Sequence, residues 1–119
     1  MPAMRILVAE DEAMVSRLLD RVLSAAGHTV TSVGSCREAL DLLKATGYDL
    51  VLLDLHLNDG NGMRVIEAMA EGVVAHRPVV LMTGDFVDAD DPRAGRANAI
   101  LQKPFDLTQL EQAIERCSA

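Results

Sequence analysis

The residues with chemistry to offer stand just after short apolar runs. Glu10 and Asp11 follow Arg5-Ile-Leu-Val-Ala9, and Asp54 follows Leu50-Val-Leu-Leu53. Thr83 follows Val79-Val-Leu-Met82, and Lys103 follows Ala99-Ile-Leu-Gln102. Three carboxylates brought together repel and raise one another's pKa. A hard divalent cation, Mg²⁺ (or Mn²⁺), relieves that repulsion, because it takes oxygen ligands and tolerates carboxylates beside water. One such ion and Lys103 neutralise the three acids. A site of this kind accepts a phosphoryl group, and a carboxylate placed like Asp54 serves as nucleophile and forms an aspartyl phosphate. The metal, Lys103 and the Thr83 hydroxyl would stabilise charge on the equatorial oxygens during in-line transfer.

Gathering these residues requires a particular set of elements. Val15, Leu18, Leu19, Val22, Leu23 and Ala26 follow helical spacing, with Gly27 as the stop. Thr29 to Val33 is short and β-branched, so a strand. Ser35-Cys-Arg-Glu38 is a capping box that opens a second helix, through Leu40 and Leu43 to Gly47. A third helix with Val65, Ile66 and Met69 follows Asn61-Gly62, and the last begins near Asp106. Strand and helix alternate, which predicts an α/β fold with a parallel sheet and helices on both faces. Between Thr83 and Ala99 the apolar face is almost lost, so a short or irregular fourth helix, or a loop, is expected there. In an open parallel sheet, ligands bind beyond the carboxyl ends of the strands, where the winding reverses. That rule collects Glu10, Asp11, Asp54, Thr83 and Lys103 into one crevice. Each has an ordinary alternative: a turn aspartate, acids favoured by a helix dipole, a strand-end threonine, a solvated lysine. Glu12 is assigned to the dipole of the first helix, and His28 and His76 to surface or loop positions.

Composition narrows the function classes. The chain has 119 residues, half of them apolar, and a formal charge of −7. No lysine- or arginine-rich patch offsets that charge, so binding to nucleic acid is not expected. No apolar run approaches the ~18 residues that would span a bilayer, and no secretory signal is visible. Cys36 and Cys117 lack metal-ligand spacing and read as reduced thiols. The expectation is a cytoplasmic single domain over residues 1–119 with no output domain and no membrane association.

The pieces "ILVAEDE" (6–12), "LVLLDLHLNDGNG" (50–62), "VVLMTG" (79–84) and "LQKPF" (101–105) resemble, in order and spacing, the receiver domain of two-component response regulators, chemotaxis regulators among them. The resemblance implies a flavodoxin-like, doubly wound, five-stranded parallel sheet in order 2-1-3-4-5. It implies that Asp54 is the phosphoacceptor, with Glu10, Asp11, Asp54 and the backbone carbonyl of His56 at the metal. Thr83, Gly84 and Lys103 match the phosphate-binding positions, and His56 and Asp85 those that tune phosphoryl lifetime. Thr83 and Ile100 match the switch positions. The implied partners are a histidine kinase or histidine phosphotransfer protein and a downstream protein target, met through residues 84–105 and the last helix. Three departures stand out: Asn58 where the family has a proline, Ile100 where it has an aromatic residue, and a segment from Thr83 to Lys103 about two residues short.

Other classes fit less well. A phosphorylation-independent pseudo-receiver that docks a partner is motivated by the altered 84–99 segment and opposed by the intact acids. A nucleotide or flavin binder wants a Gly/Ser/Thr-rich loop after the first strand, where this chain has "AEDEAM". A phosphatase with an aspartate nucleophile wants D-x-D after the first strand, and this chain carries "DLH" after the third.

Overall fold

Side chains along a strand alternate between faces, and that alternation sorts the apolar residues of this chain into two layers. The computed structural model describes residues 3–85, 91–92 and 95–118. Its elements are β1 (Arg5–Ala9), α1 (Ala13–Ala25), β2 (Thr29–Val33), α2 (Cys36–Ala45), β3 (Leu50–Asp54), β4 (His56–Leu57), β5 (Gly60–Asn61), α3 (Met63–Ala70), β6 (Val79–Thr83), β7 (Ala99–Gln102) and α4 (Leu107–Ser118). The main sheet is parallel and runs β2-β1-β3-β6-β7, the doubly wound order. The expected short or irregular helix between Thr83 and Ala99 falls in part on residues 86–90 and 93–94, outside the described residues. The described residues of that segment form bends and turns.

Leu7, Ala9, Val51, Leu53, Val79 and Leu81 pack against α2 and α3, with Ala39, Leu43, Val65, Ile66 and Met69. Ile6, Val8, Leu50, Leu52, Val80, Met82, Ala99 and Leu101 pack against α1 and α4, with Leu19, Leu23, Leu110, Ala113 and Ile114. β3 and β6 are buried along their whole length, as strands covered on both faces must be. Met69 and Met82 fill these layers as expected.

Local signals in the sequence account for the helix ends. Ser35 Oγ accepts the Glu38 N–H at 3.1 Å, the N-cap bond of the capping box, and its hydroxyl donates to the Glu38 carboxylate at 3.0 Å. Gly27 follows α1 with φ +97°, where a residue with a Cβ is strained. Asp106 Oδ1 accepts the Gln109 N–H at 2.8 Å at the start of α4.

Two readings need correction. Leu18 is 58% exposed, because the buried stripe of α1 runs through Val15, Leu19, Val22 and Leu23 and leaves Leu18 on its flank. His28 is buried rather than a surface residue, and its Nδ1 accepts the Met4 N–H at 3.0 Å. No helix among the described residues is long and apolar enough to cross a membrane.

Register carries the consequence for function. Ala9 pairs with Leu53, Asp54 with Met82, and Thr83 with Gln102. Glu10, Asp54, Thr83 and Lys103 therefore end in one row along the carboxyl edge. Behind that row the chain turns tightly into α3. A Cβ on Gly62 would collide with the Asp54 carbonyl oxygen, although its φ of −59° suits any residue. Gly62→Ala is thus expected to lower stability by about 1–3 kcal/mol. Urea denaturation checks this, and an unchanged midpoint would show that the turn yields without cost.

Candidate functional site

Each acid of the site is delivered by a strand that is already fixed in the core. Asp54 is the last residue of β3, and Glu10 follows β1 directly. Both are buried, while Asp11 beside them is exposed. A carboxylate oxygen from each of Glu10, Asp11 and Asp54 lies within 4.8 Å of the others. Lys103, just past β7, reaches across the edge: its Nζ donates to Glu10 Oε1 at 2.6 Å and to Asp54 Oδ2 at 2.9 Å. Asp54 Oδ1 accepts the His56 N–H at 3.0 Å, so both carboxylate oxygens are held. Glu12, expected to serve only the dipole of α1, is its N-cap but makes no side-chain capping bond. Its Oε1 lies 3.7 Å from Lys103 Nζ instead.

The electrostatics divide the acids. Burial, with Asp54 beside it, pushes Glu10 up to about 7, against the opposing pull of Lys103. Burial would also raise Asp54, but hydrogen bonds from Glu10, Lys103 and the His56 N–H outweigh it and hold that carboxyl below its usual range. Burial works against the Lys103 ammonium, and bonding to Glu10 and Asp54 overcomes it and raises its pKa. The two carboxyls are thus driven apart, Glu10 upward and Asp54 downward.

The remaining expected residues lie around this cluster. Thr83 is fully buried, and its Oγ1 accepts the Asp85 N–H at 2.9 Å. Its alternation places it on the α2/α3 side of the sheet, with Val79 and Leu81. His56 Nε2 and Asp85 Oδ2 are 3.0 Å apart, both side chains largely open to solvent. Gly84 is exposed, and a Cβ there would meet nothing within 4 Å. Ile100 sits inside β7 opposite Leu81, half-buried against the α2/α3 layer. The loop after Asp54, which lacks the proline, folds into the small antiparallel hairpin β4/β5, a feature the sequence reading did not foresee.

The donor set fits a hard divalent cation. The acids are oxygen donors close together, and with Lys103 charged they leave two negative charges, which one Mg²⁺ balances. Glu10 would release its proton to such an ion.

Comparison with known proteins agrees with this geometry. The family model described as response regulator receiver domain matches residues 6–115, and the chain belongs to that family. The sensory/regulatory protein RpfC of Xanthomonas campestris pv. campestris is 34% identical over 117 aligned positions, covering 91% of this chain and 16% of that protein. The transcriptional regulatory protein TcrA of Mycobacterium tuberculosis is 37% identical, covering 89% of this chain and 42% of that protein. The chain spans less than half the length of both. Among solved structures, the non-phosphorylated HemR receiver domain of Leptospira biflexa is 29% identical with a TM-score of 0.83, covering 95% of this chain and 92% of that one. The response regulator TrrA of Thermotoga maritima, solved in complex with Mg²⁺–BeF, is 25% identical with a TM-score of 0.84, covering 95% and 97%.

The raised pKa of Glu10 has a measurable sign. Glu10 titrates near 4.5 when unfolded and near 7 when folded, so the native state binds more protons between those values. Stability of the metal-free protein should therefore fall as pH rises from 4.5 to 7, by an amount on the order of 2–3 kcal/mol. Glu10→Gln should lack that slope. Chemical denaturation of both proteins in EDTA across this range measures the difference; parallel curves would mean that Glu10 is not raised.

Proposed function

We propose that this domain accepts a phosphoryl group on Asp54 from a phosphohistidine, carried by a histidine kinase or a histidine phosphotransfer protein. One observation carries the reading: Asp54 is fixed at both oxygens and set against Lys103 at the carboxyl edge of the sheet, with its carboxyl held below its usual range. A carboxylate nucleophile has to be charged and oriented before it can attack. An Asp54 oxygen forms the new bond to phosphorus while the P–N bond of the donor breaks. The electron pair returns to the donor imidazole, which then takes up a proton. Lys103, the Thr83 hydroxyl and the open space at Gly84 receive the phosphoryl oxygens. Glu10, Asp11, Asp54 and the His56 carbonyl would hold Mg²⁺ (or Mn²⁺), which supplies positive charge to those oxygens.

The hydrogen-bonded His56 and Asp85 side chains are the pair that tunes how long the phosphoryl group survives. Thr83 and Ile100 stand at the switch positions, and a downstream protein reads the change through residues 84–105 and α4. A cytoplasmic setting belongs to this reading. The similarity to a response regulator that takes Mg²⁺ and beryllofluoride supports it. A domain that docks partners without phosphorylation would need neither the acids nor a lysine reaching both of the buried ones.

Two measurements test the proposal. Acetyl phosphate with Mg²⁺ should label the wild-type chain, and Asp54→Asn should reduce labelling to background; label retained on that variant moves the acceptor elsewhere. Mg²⁺ with beryllofluoride should shift ¹H–¹⁵N resonances around residues 54–56, 83–85 and 103. A spectrum that does not respond would sink the receiver chemistry.

A further inference from the structure

The hairpin after Asp54 is fastened by a residue to which the proposed chemistry gives no part. Asp59 stands at its tip, between Leu57 and Gly60, which pair with each other. Its carboxylate accepts the Cys36 N–H at 2.8 Å and the Arg37 N–H at 3.0 Å. These are the first amides of α2, which have no partner inside the helix. A carboxylate there is favoured by the helix dipole and makes bonds of the stronger, charge-assisted kind. The two N–H groups also hold the Asp59 carboxyl below its usual range.

The hairpin needs such a fastening. Each of its strands pairs only two residues, too few to persist unaided. Asn58 occupies the position of the family's stiffening proline, and Gly60, with φ +137°, adds freedom. Weaker ties point the same way: Cys36 Sγ–H donates to the Asn61 carbonyl at 3.4 Å, and Arg64 to the Asp59 carbonyl at 3.4 Å. Leu55 and Leu57, on either side of His56, are buried in the α2/α3 layer, and Asp59 adds a polar tie beyond Leu57 at the hairpin tip. His56 itself is paired with Asn61.

We infer that Asp59 is a positioning residue: by pinning the hairpin tip to the N-terminus of α2 it fixes the backbone of His56. That backbone offers the N–H that holds Asp54 Oδ1 and the carbonyl assigned to the metal. The inference rests on the receiver reading for the metal, but not for the hydrogen bond to Asp54, which the geometry itself contains.

The test compares Asp59→Ala and Asp59→Asn with Ser35→Ala. Ser35 caps the same helix through the Glu38 N–H and makes no bond to the hairpin, so its loss reports helix capping alone. Amide exchange at residues 55–61 is measured without metal, and the Mg²⁺ Kd by titration of ¹H–¹⁵N resonances. Asp59→Ala should speed exchange at His56 and weaken Mg²⁺ binding roughly tenfold. Asp59→Asn should fall between, and Ser35→Ala should lower the melting temperature while leaving both readouts at wild-type values. The inference is overturned by wild-type exchange or wild-type Mg²⁺ affinity in Asp59→Ala, or by equal losses in Ser35→Ala. If the wild-type chain itself binds no Mg²⁺, the receiver reading fails. Exchange at His56 then decides the pin alone: faster in Asp59→Ala but not in Ser35→Ala upholds it, and no difference overturns it.

Discussion

A single ammonium holds this site together. Lys103 joins two buried carboxylates that come from β1 and β3, bonding each within hydrogen-bond distance. Without it the edge of the sheet would carry Glu10 and Asp54 side by side in a poorly solvated place, a costly arrangement. With it, one negative charge is balanced, and burial beside Asp54 raises the pKa of Glu10 to about 7. The result is a carboxyl, Asp54, held below its usual range at the end of a buried strand.

Placement of those charges follows from the apolar sequence beneath them. Ile6 and Val8, Leu50 and Leu52, Ala99 and Leu101 all face the α1/α4 layer, and Glu10, Asp54 and Lys103 extend those alternate rows. A slip of one residue in any strand would turn its polar end to the other face. The buried layers therefore do more than stabilise the domain. They set the register on which the 2.6 and 2.9 Å contacts depend.

Much of this was legible in the sequence, for a definite reason. Apolar runs mark strands, helical spacing marks helices, and the fold rule then says where their polar ends meet. Glu10, Asp11, Asp54 and Lys103 could be brought together on that basis alone, and β7 was found with its bounds intact. What stayed hidden depends on exact neighbours. The division of charge between Glu10 and Asp54 arises from burial and from a shared lysine, neither of which has a local motif. Asp59 carries no signal of its own, because its partners are amides of Cys36 and Arg37 far back in the chain. Leu18 and His28 went wrong for the same kind of reason. A helical stripe has a flank that periodicity does not resolve, and the histidine after α1 has its hydrogen-bond partner in Met4, 24 residues back in the chain.

The pairing of β7 with β6 has a consequence for the order in which the domain can be assembled. Lys103 is 93 residues from Glu10 and 49 from Asp54, so its two bonds are among the long-range closures of the chain. As the chain emerges from its N-terminus, any partial sheet that already sets β1 beside β3 holds both acids with no cation from the protein to receive them. The last strand thus brings the counter-charge as well as apolar surface. Completion of the sheet and completion of the site are then one event, and the half-built domain is the state most in need of protons or dissolved ions.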